Sequence, residues 1–371
     1  MTTLQSKQQA ATIHLLNELF DQEKARILVP PQQDSTGFWF GGGNLVQDQA
    51  GTLWLCGRYR NFGDSRTGLQ AGERGVSCTI FRSDDDGLTF TKVSEWSKPE
   101  LSRTDRKILS YEGTALHQLA DGTWELFISS EKEIAYPEGL QQFQKPGTGV
   151  WTIDRITGET PDKLDPDTIQ TVFENHERPE YLHIKDPVVF DGEAGQTHLI
   201  FCSHPFNWTS SNSGLLTREA DDTSFSLVNW EVVSRGAAWD VAATRITGRM
   251  PIPAVGCFAD TPPWSVYLYD GAECLRQLEE NRQAHKRPRG YSCEELSSAM
   301  VAPDFDFQAL RRLVDLEPMF ISPWGTGSSR YGEALVTENG IFATWEQSQA
   351  DESQPLVGRF LPVTEVKAIL A

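Results

Sequence analysis

The sequence predicts an all-β fold, a five-bladed β-propeller carrying an N-terminal helix and a partly helical insertion. Two observations predict it. One hairpin pattern recurs five times along the chain, and the stretch Ser83-Asp84-Asp85-Asp86-Gly87-Leu88-Thr89-Phe90 fits the turn pattern S-x-D-x-G-x-T-[W/F] at every fixed position. The length of 371 residues suits one closed β ring as well as it suits two ordinary domains.

The clearest hairpin runs from Tyr181-Leu182-His183-Ile184-Lys185-Asp186-Pro187-Val188-Val189-Phe190 through Asp191-Gly192-Glu193 into His198-Leu199-Ile200-Phe201-Cys202. Pro187 cannot donate to a ladder, so Asp186 is expected to open its strand and to lie at a sheet end. The pattern returns from Tyr111-Glu112-Gly113 through Asp121-Gly122 to Trp124–Ile128, and from Gly41-Gly42-Gly43-Asn44 through Ala50-Gly51 to Leu53–Cys56. It returns again from Arg330-Tyr331-Gly332-Glu333 through Asn339-Gly340 to Ile341–Trp345, and more weakly from Trp239-Asp240 to Trp264–Tyr269. Asn-Gly and Asp-Gly between apolar runs mark hairpins because primed turns need positive φ. The steps between Gly41, Glu112, Asp186, Asp240 and Glu333 run from about 54 to about 93 residues, too long for short regular repeats but right for four strands and decorated loops. The first strand of each unit then lines a central channel, and Glu112, Asp186, Asp240 and Glu333 converge at one mouth.

Elsewhere the chain carries less. Residues 8–28 space Ala11, Ile13, Leu15, Leu16, Leu19 and Phe20 as one amphipathic helix, so 1–30 reads as a helical segment and 31–371 as the propeller. The stretch of about 270–315 reads as the insertion, with helix-like Glu273–Glu280 and a basic loop, Lys286-Arg287-Pro288-Arg289. The tail from Val357 to Leu370 is expected to pair back onto the first blade and seal the ring.

Charge excludes some partners. The 52 acidic against 33 basic residues give a net charge of −19, which opposes nucleic acid or an anionic membrane as a main partner. The start of the chain lacks a secretory pattern, and no apolar run reaches the length of a membrane-spanning helix. Six cysteines without CxxC or zinc spacing read as reduced thiols, and the expected compartment is cytoplasmic.

The turn Ser83–Phe90 resembles the Asp-box of sialidases and other propellers, which is a fold signal. An Asp-Pro opening one inner strand, Asp186-Pro187, a Glu-Gly opening another, Glu112-Gly113, and further acids at successive blade starts resemble the five-bladed glycoside hydrolases of families 43, 32 and 117. The resemblance covers about 38–346 on short motifs, and it departs where the family places an Asp at the first blade: here stands Gly41-Gly42-Gly43-Asn44. It implies a carbohydrate partner and hydrolysis by paired carboxylates, one donating a proton to the leaving oxygen and one activating water or attacking the sugar. Glu112 and Asp186 are the first pair, with Asp240 and Glu333 as further catalytic candidates. Arg58, Arg60, His204 and Arg330 are the candidate substrate-binding residues. No cofactor is required, no metal ligand is assigned, and a calcium ion in the acidic central channel is a candidate without a contiguous ligand loop.

Two other functions compete. A sialidase-like hydrolase would take an acidic sugar through the arginines, against which stand a single Asp-box and five units where sialidases have six. A non-catalytic propeller would bind a glycan or protein on its top face. The sequence carries no signal for an oligomeric state.

Overall fold

The computed structural model describes residues 3–61, 74–144, 146–175, 178–204, 211–273 and 295–371. The expected helix-like 273–280 beyond Glu273, the basic loop at 286–289, and the loop residues Phe62 and Pro205 to Trp208 lie outside them. The N-terminal helix is Ser6–Leu19, and strand β1 follows at Arg26–Val29.

Strands then come in antiparallel groups. The first holds β2 (Trp39–Gly41), β3 (Leu45–Gln47), β4 (Leu53–Arg60), β5 (Gly75–Ser83) and β6 (Thr91–Ser97). The second holds β7 (Ile108–Gln118), β8 (Trp124–Lys132), β9 (Val150–Gly158) and β10 (Leu164–Phe173). The third holds β11 (His183–Asp191), β12 (Thr197–His204), β13 (Asn212–Arg218) and β14 (Ser226–Val233). An eight-stranded sheet contains the rest. One half of it is β15 (Ala243–Pro251), β16 (Trp264–Ala272), β17 (Leu296–Pro303) and β18 (Arg311–Arg312). The other is β19 (Ser329–Thr337), β20 (Gly340–Gln347), β21 (Leu356–Pro362) and β1. A single parallel pair, Leu296 with Ser329, joins the two halves. We refer to the three sheets and these two halves as units one to five.

Packing closes the units into a ring. Trp54, Cys56 and Ile80 of unit one meet Leu116, Leu126 and Ile128 of unit two. Phe127 and Ile153 meet Ile184, Leu199 and Phe201 of unit three, and Val188, Ile200 and Leu215 meet Ile246, Tyr267 and Met300 of unit four. Val266 and Leu268 meet Ala334, Ile341 and Trp345 of unit five, under a cap made by Leu15, Leu16, Leu19 and the C-terminal helix residues Val366 and Leu370. Phe342 and Leu356 return to Phe40, Leu55 and Phe81 of unit one. Burying an aromatic or branched side chain in these seams contributes about 1.5–3 kcal/mol each.

Three boundaries differ from expectation. The tail does not pair with unit one: β21 pairs with β20 and with β1, so the N-terminal strand is the outer strand of unit five. Residues 26–29 therefore belong to the ring, not to a separate helical segment. Likewise, 296–303 and 311–312 are the outer strands of unit four rather than an insertion, because they continue the ladder from β16. The four described cysteines, Cys56, Cys78, Cys202 and Cys257, are unpaired. Among the described residues, no helix is long and apolar enough to cross a membrane.

The turn Ser83–Phe90 joins β5 to β6 through its own side chains. Asp85 Oδ1 accepts from the Thr89 amide and the Ser83 hydroxyl, both at 2.8 Å, and Asp86 and Gly87 take φ of 57° and 79°. Phe90 packs edge-on against Phe342 of unit five, tying the turn across the ring closure.

Candidate active site

Each inner strand breaks its register at the same level. In β7, Tyr111 faces Ser130 while Thr114 faces Ile128, so Glu112 and Gly113 stand opposite one residue. Asp186 and Pro187 of β11 do the same between Lys185 and Val188, and Tyr331 and Gly332 of β19 between Arg330 and Glu333. β15 shifts between Ile246 and Gly248, and in unit one the break is Gly42 to Asn44, between β2 and β3. Such bulges re-aim side chains at a sheet rim. Asp186 therefore sits inside its strand rather than opening it, and Pro187 is tolerated because the bulge needs no donor there. Asp186 and Tyr331 adopt φ of 55° and 53°, a left-handed conformation that costs about 1–3 kcal/mol at each non-glycine residue.

The re-aimed groups form a buried ring of alternating charge. Both Glu112 oxygens accept from guanidinium groups, Oε1 from Arg60 and Oε2 from Arg58 Nη2 at 3.0 Å. Arg58 Nη1 reaches Glu346 Oε1 at 2.6 Å, and Glu346 Oε2 accepts from Arg330 Nε at 2.9 Å. Arg330 Nη1 and Arg245 Nη2 both donate to Glu295 Oε2 at 2.9 Å. Arg245 also donates to Asp270 Oδ2 at 2.7 Å and to Asp186 Oδ2 at 3.1 Å. Asp186 Oδ1 accepts from the Gly113 amide at 3.0 Å and the Tyr331 hydroxyl at 3.3 Å, with Lys185 Nζ 3.5 Å from Oδ2. The rings of Trp39 and Tyr331 lie among the guanidinium groups: Arg60 and Arg330 stand 4.6 and 4.7 Å from Trp39, and Arg245 4.1 Å from Tyr331.

Electrostatics sorts the carboxylates. Burial pushes Glu112 up, but Arg60, Arg58, Lys185 and Arg330 outweigh it and hold the carboxyl well below its usual range. Glu295 likewise falls to about 2, burial being outweighed by Arg245, Arg330 and Lys185. Asp270 goes the other way: burial and the neighbouring Glu295 outweigh Arg245 and raise it above the usual carboxylate range. Glu333 is pushed well above the carboxylate range by burial, which favours the neutral acid. Its side chain lines a small cavity of about 20 Å³ together with Gly42, Asn44, Thr114, Asp186, Thr247 and Tyr331.

The structure thus gathers Glu112, Asp186, Arg58, Arg60 and Arg330 in one cluster and puts Glu333 in the adjoining channel. Asp240 is elsewhere. It precedes β15 instead of standing on its bulge, and its carboxylate accepts from Arg312 Nε at 2.5 Å and Tyr269 at 3.2 Å, so Thr247 rather than Asp240 occupies that level of unit four. His204 ends β12, opposite His183, with its Nε2 3.6 Å from Cys202 Sγ. Five members that the sequence reading did not select, Lys185, Arg245, Asp270, Glu295 and Glu346, complete the ring. Two of these pairs are cross-strand neighbours, Arg330 opposite Glu346 and Arg245 opposite Asp270, but only beyond the one-residue bulges, so counting back from the turns misses each by one position.

The donors do not suit a calcium ion in the channel. Among the described residues no group of three or more His, Cys, Asp or Glu stands ready to hold a metal, whereas calcium takes about 6–8 oxygens. Of the two carboxylates lining the cavity, Asp186 is already engaged by Arg245, Gly113 and Tyr331.

Comparison with known proteins gives a likeness of fold. No family model and no curated protein matches the chain. Among solved structures, a β-xylosidase named RS223 superposes with a TM-score of 0.54 at 8% identity, covering 91% of this chain and 95% of that one. The GH43_1 enzyme from Xanthomonas citri complexed with xylotriose gives 0.54 at 8% identity, over 95% and 93% of the two chains. An exo-1,5-α-L-arabinanase from a bovine ruminal metagenomic library gives 0.51 at 12%, over 89% and 95%.

Proposed function

We propose that the five units are the blades of a five-bladed propeller and that the protein is a glycoside hydrolase-like enzyme working at the ring of charges around Glu112 and Asp186. The observation that carries the reading is their juxtaposition: the bulges of neighbouring inner strands bring the Gly113 amide onto Asp186 Oδ1 at 3.0 Å, directly after Glu112. The fold shared with solved glycoside hydrolases supports it.

The roles follow from charge. Glu112, held ionised by two guanidinium groups, serves as the carboxylate that activates water or attacks the anomeric carbon. The proton needed by the leaving oxygen is available from Glu333, which burial favours in its neutral form and which lines the cavity beside Asp186. Asp186 stands between the two, since it lines the same cavity as Glu333 and neighbours Glu112 through Gly113.

A second reading, a glycan-binding propeller without turnover, is favoured by the saturation of the ring, because both Glu112 oxygens are taken by arginines. Hydrolysis of a panel of aryl glycosides by the native chain and by Glu112→Gln and Asp186→Asn separates the two. Turnover that falls by 10³-fold or more in both variants, with an unchanged circular-dichroism spectrum, supports the enzyme. Glycan binding with no turnover in the native chain replaces it with the binding propeller.

A further inference from the structure

The donors of the ring are not all used. Arg58 has Nε, Nη1 and Nη2 on Glu112 and Glu346. Arg60 Nε and Arg330 Nη2, in contrast, are buried with no hydrogen-bond partner, and so is the indole Nε1 of Trp39, the ring against which both guanidinium groups lie. Trp39 is 3%, Arg330 4% and Arg60 8% exposed. Native proteins leave few buried donors unmatched, each at a cost of about 1–3 kcal/mol. Three of them, Arg60 Nε, Arg330 Nη2 and Trp39 Nε1, belong to one contact cluster, so an acceptor admitted there would meet all three.

The sector also lacks its own carboxylate. Where units two, three and five bring Glu112, Asp186 and Tyr331 to the bulge, unit one brings Gly42, at φ 66°, and the Arg58 guanidinium carbon stands 3.4 Å from where a Cβ would be. Arg60 shares its one carboxylate, Glu112, with Arg58, while Arg58, Arg330 and Arg74 add to burial in disfavouring its charge.

We propose that this sector binds the carboxylate of an acidic saccharide, with Arg60 Nε, Arg330 Nη2 and Trp39 Nε1 as its donors. A planar carboxylate suits paired guanidinium groups. The inference rests on the carbohydrate-processing reading and names its substrate class: uronic-acid sugars in preference to their neutral parents.

Isothermal titration calorimetry of the full chain at low salt, with D-glucuronate and D-galacturonate against D-glucose and D-galactose, tests it. Uronates should bind at least tenfold more tightly than the neutral sugars. Arg60→Gln and Trp39→Phe should each lower uronate affinity tenfold or more, and Trp39→Phe keeps every ion pair of the ring if Arg60→Gln fails to fold. Equal affinity for acid and neutral sugars, or a preference that survives Trp39→Phe, overturns the proposal. Inorganic sulfate binding as tightly as the uronates overturns it in favour of a free-anion site. Turnover of neutral aryl glycosides without uronate preference would sink this inference alone, whereas uronate preference without any turnover would sink only the hydrolase reading.

Discussion

Glu346 offers the cleanest test of whether the ring of charges is a buried structural unit. It is 0% exposed and stands opposite Arg330 at the edge of the β19 bulge, joining Arg58 at 2.6 Å to Arg330 at 2.9 Å. At an effective dielectric of about 20, unit charges at those separations attract by about 6 kcal/mol per contact. Desolvating each ion returns several kcal/mol of that, so the intact pair contributes little net stability. Removing one partner is a different matter, because Glu346→Ala leaves two buried guanidinium groups competing for Glu112 and Glu295. The expected loss is about 3–5 kcal/mol, a fifth or more of a typical total of about 5–15 kcal/mol. Urea unfolding followed by tryptophan fluorescence reads it, with Asp84→Ala as the control, since the Arg82–Asp84 pair stands in solvent and its loss should leave the midpoint unmoved. A Glu346→Ala midpoint that coincides with that of Asp84→Ala would show the ring to be solvated and remove the electrostatic basis of the site.

Three further outcomes are expected. The limb of a pH–rate profile that reports the proton donor should lie well above the ordinary carboxylate range, because burial holds Glu333 there, and Glu333→Gln should abolish it; a limb within the ordinary range assigns the proton to another group. Gly113→Ala would place a Cβ 2.7 Å from Asp186 Oδ1 and 2.8 Å from its Cα, so it should cost about 1–3 kcal/mol of overpacking and lower turnover at least tenfold; native thermal stability and rate would refute the close approach of the two bulges. His117 joins units two and three through Asp191 at 3.0 Å and Glu125 at 3.4 Å, with Arg155 and Arg218 on Glu125 and Arg249 near Asp191. Burial lowers its value, but the two carboxylates outweigh burial and raise it. Its stabilisation is therefore complete below the unfolded histidine value of about 6.5 and is lost as pH rises through the folded one; denaturant titrations should show native stability falling over that window and His117→Gln flattening the fall, and a parallel slope in the variant would exclude the bridge.

The hairpins were legible because their signal is local. Asp121-Gly122 and Asn339-Gly340 turn where Gly122 and Gly340 need φ of 92° and 152°, and alternation on either side fixes which face is apolar. Glu112, Asp186, Arg58, Arg60 and Arg330 were legible for the same reason, each standing beside a punctuated strand. Asp240 misled because a Trp-Asp pair before an apolar run imitates a strand start, while β15 begins three positions further on, at Ala243, and shifts its register at Thr247. Glu295 and Glu346 left no local trace at all. Their partners are Arg245 and Arg330, and Arg58 and Arg330, and two of these contacts span 50 and 288 residues, separations at which only the closed ring brings charges together.

That non-local origin bears on what the bulges do. Asp186 and Tyr331 hold left-handed backbone that glycine would adopt without penalty, and the sequence supplies glycine at the matching level of unit one. Selecting Asp and Tyr there keeps two strained residues whose side chains meet each other at 3.3 Å and share Arg245. Each contact compensates for the strain only when units three, four and five are all docked, so the ring of charges is a consequence of closure and also a condition for it. A channel that needed only stability would fill the same level with apolar side chains of similar volume, which replace buried ion networks at little or no cost. The presence of ten charged groups in one buried ring, with Arg60, Arg330 and Trp39 still holding unused donors, is therefore an argument for chemistry at that ring rather than for stability.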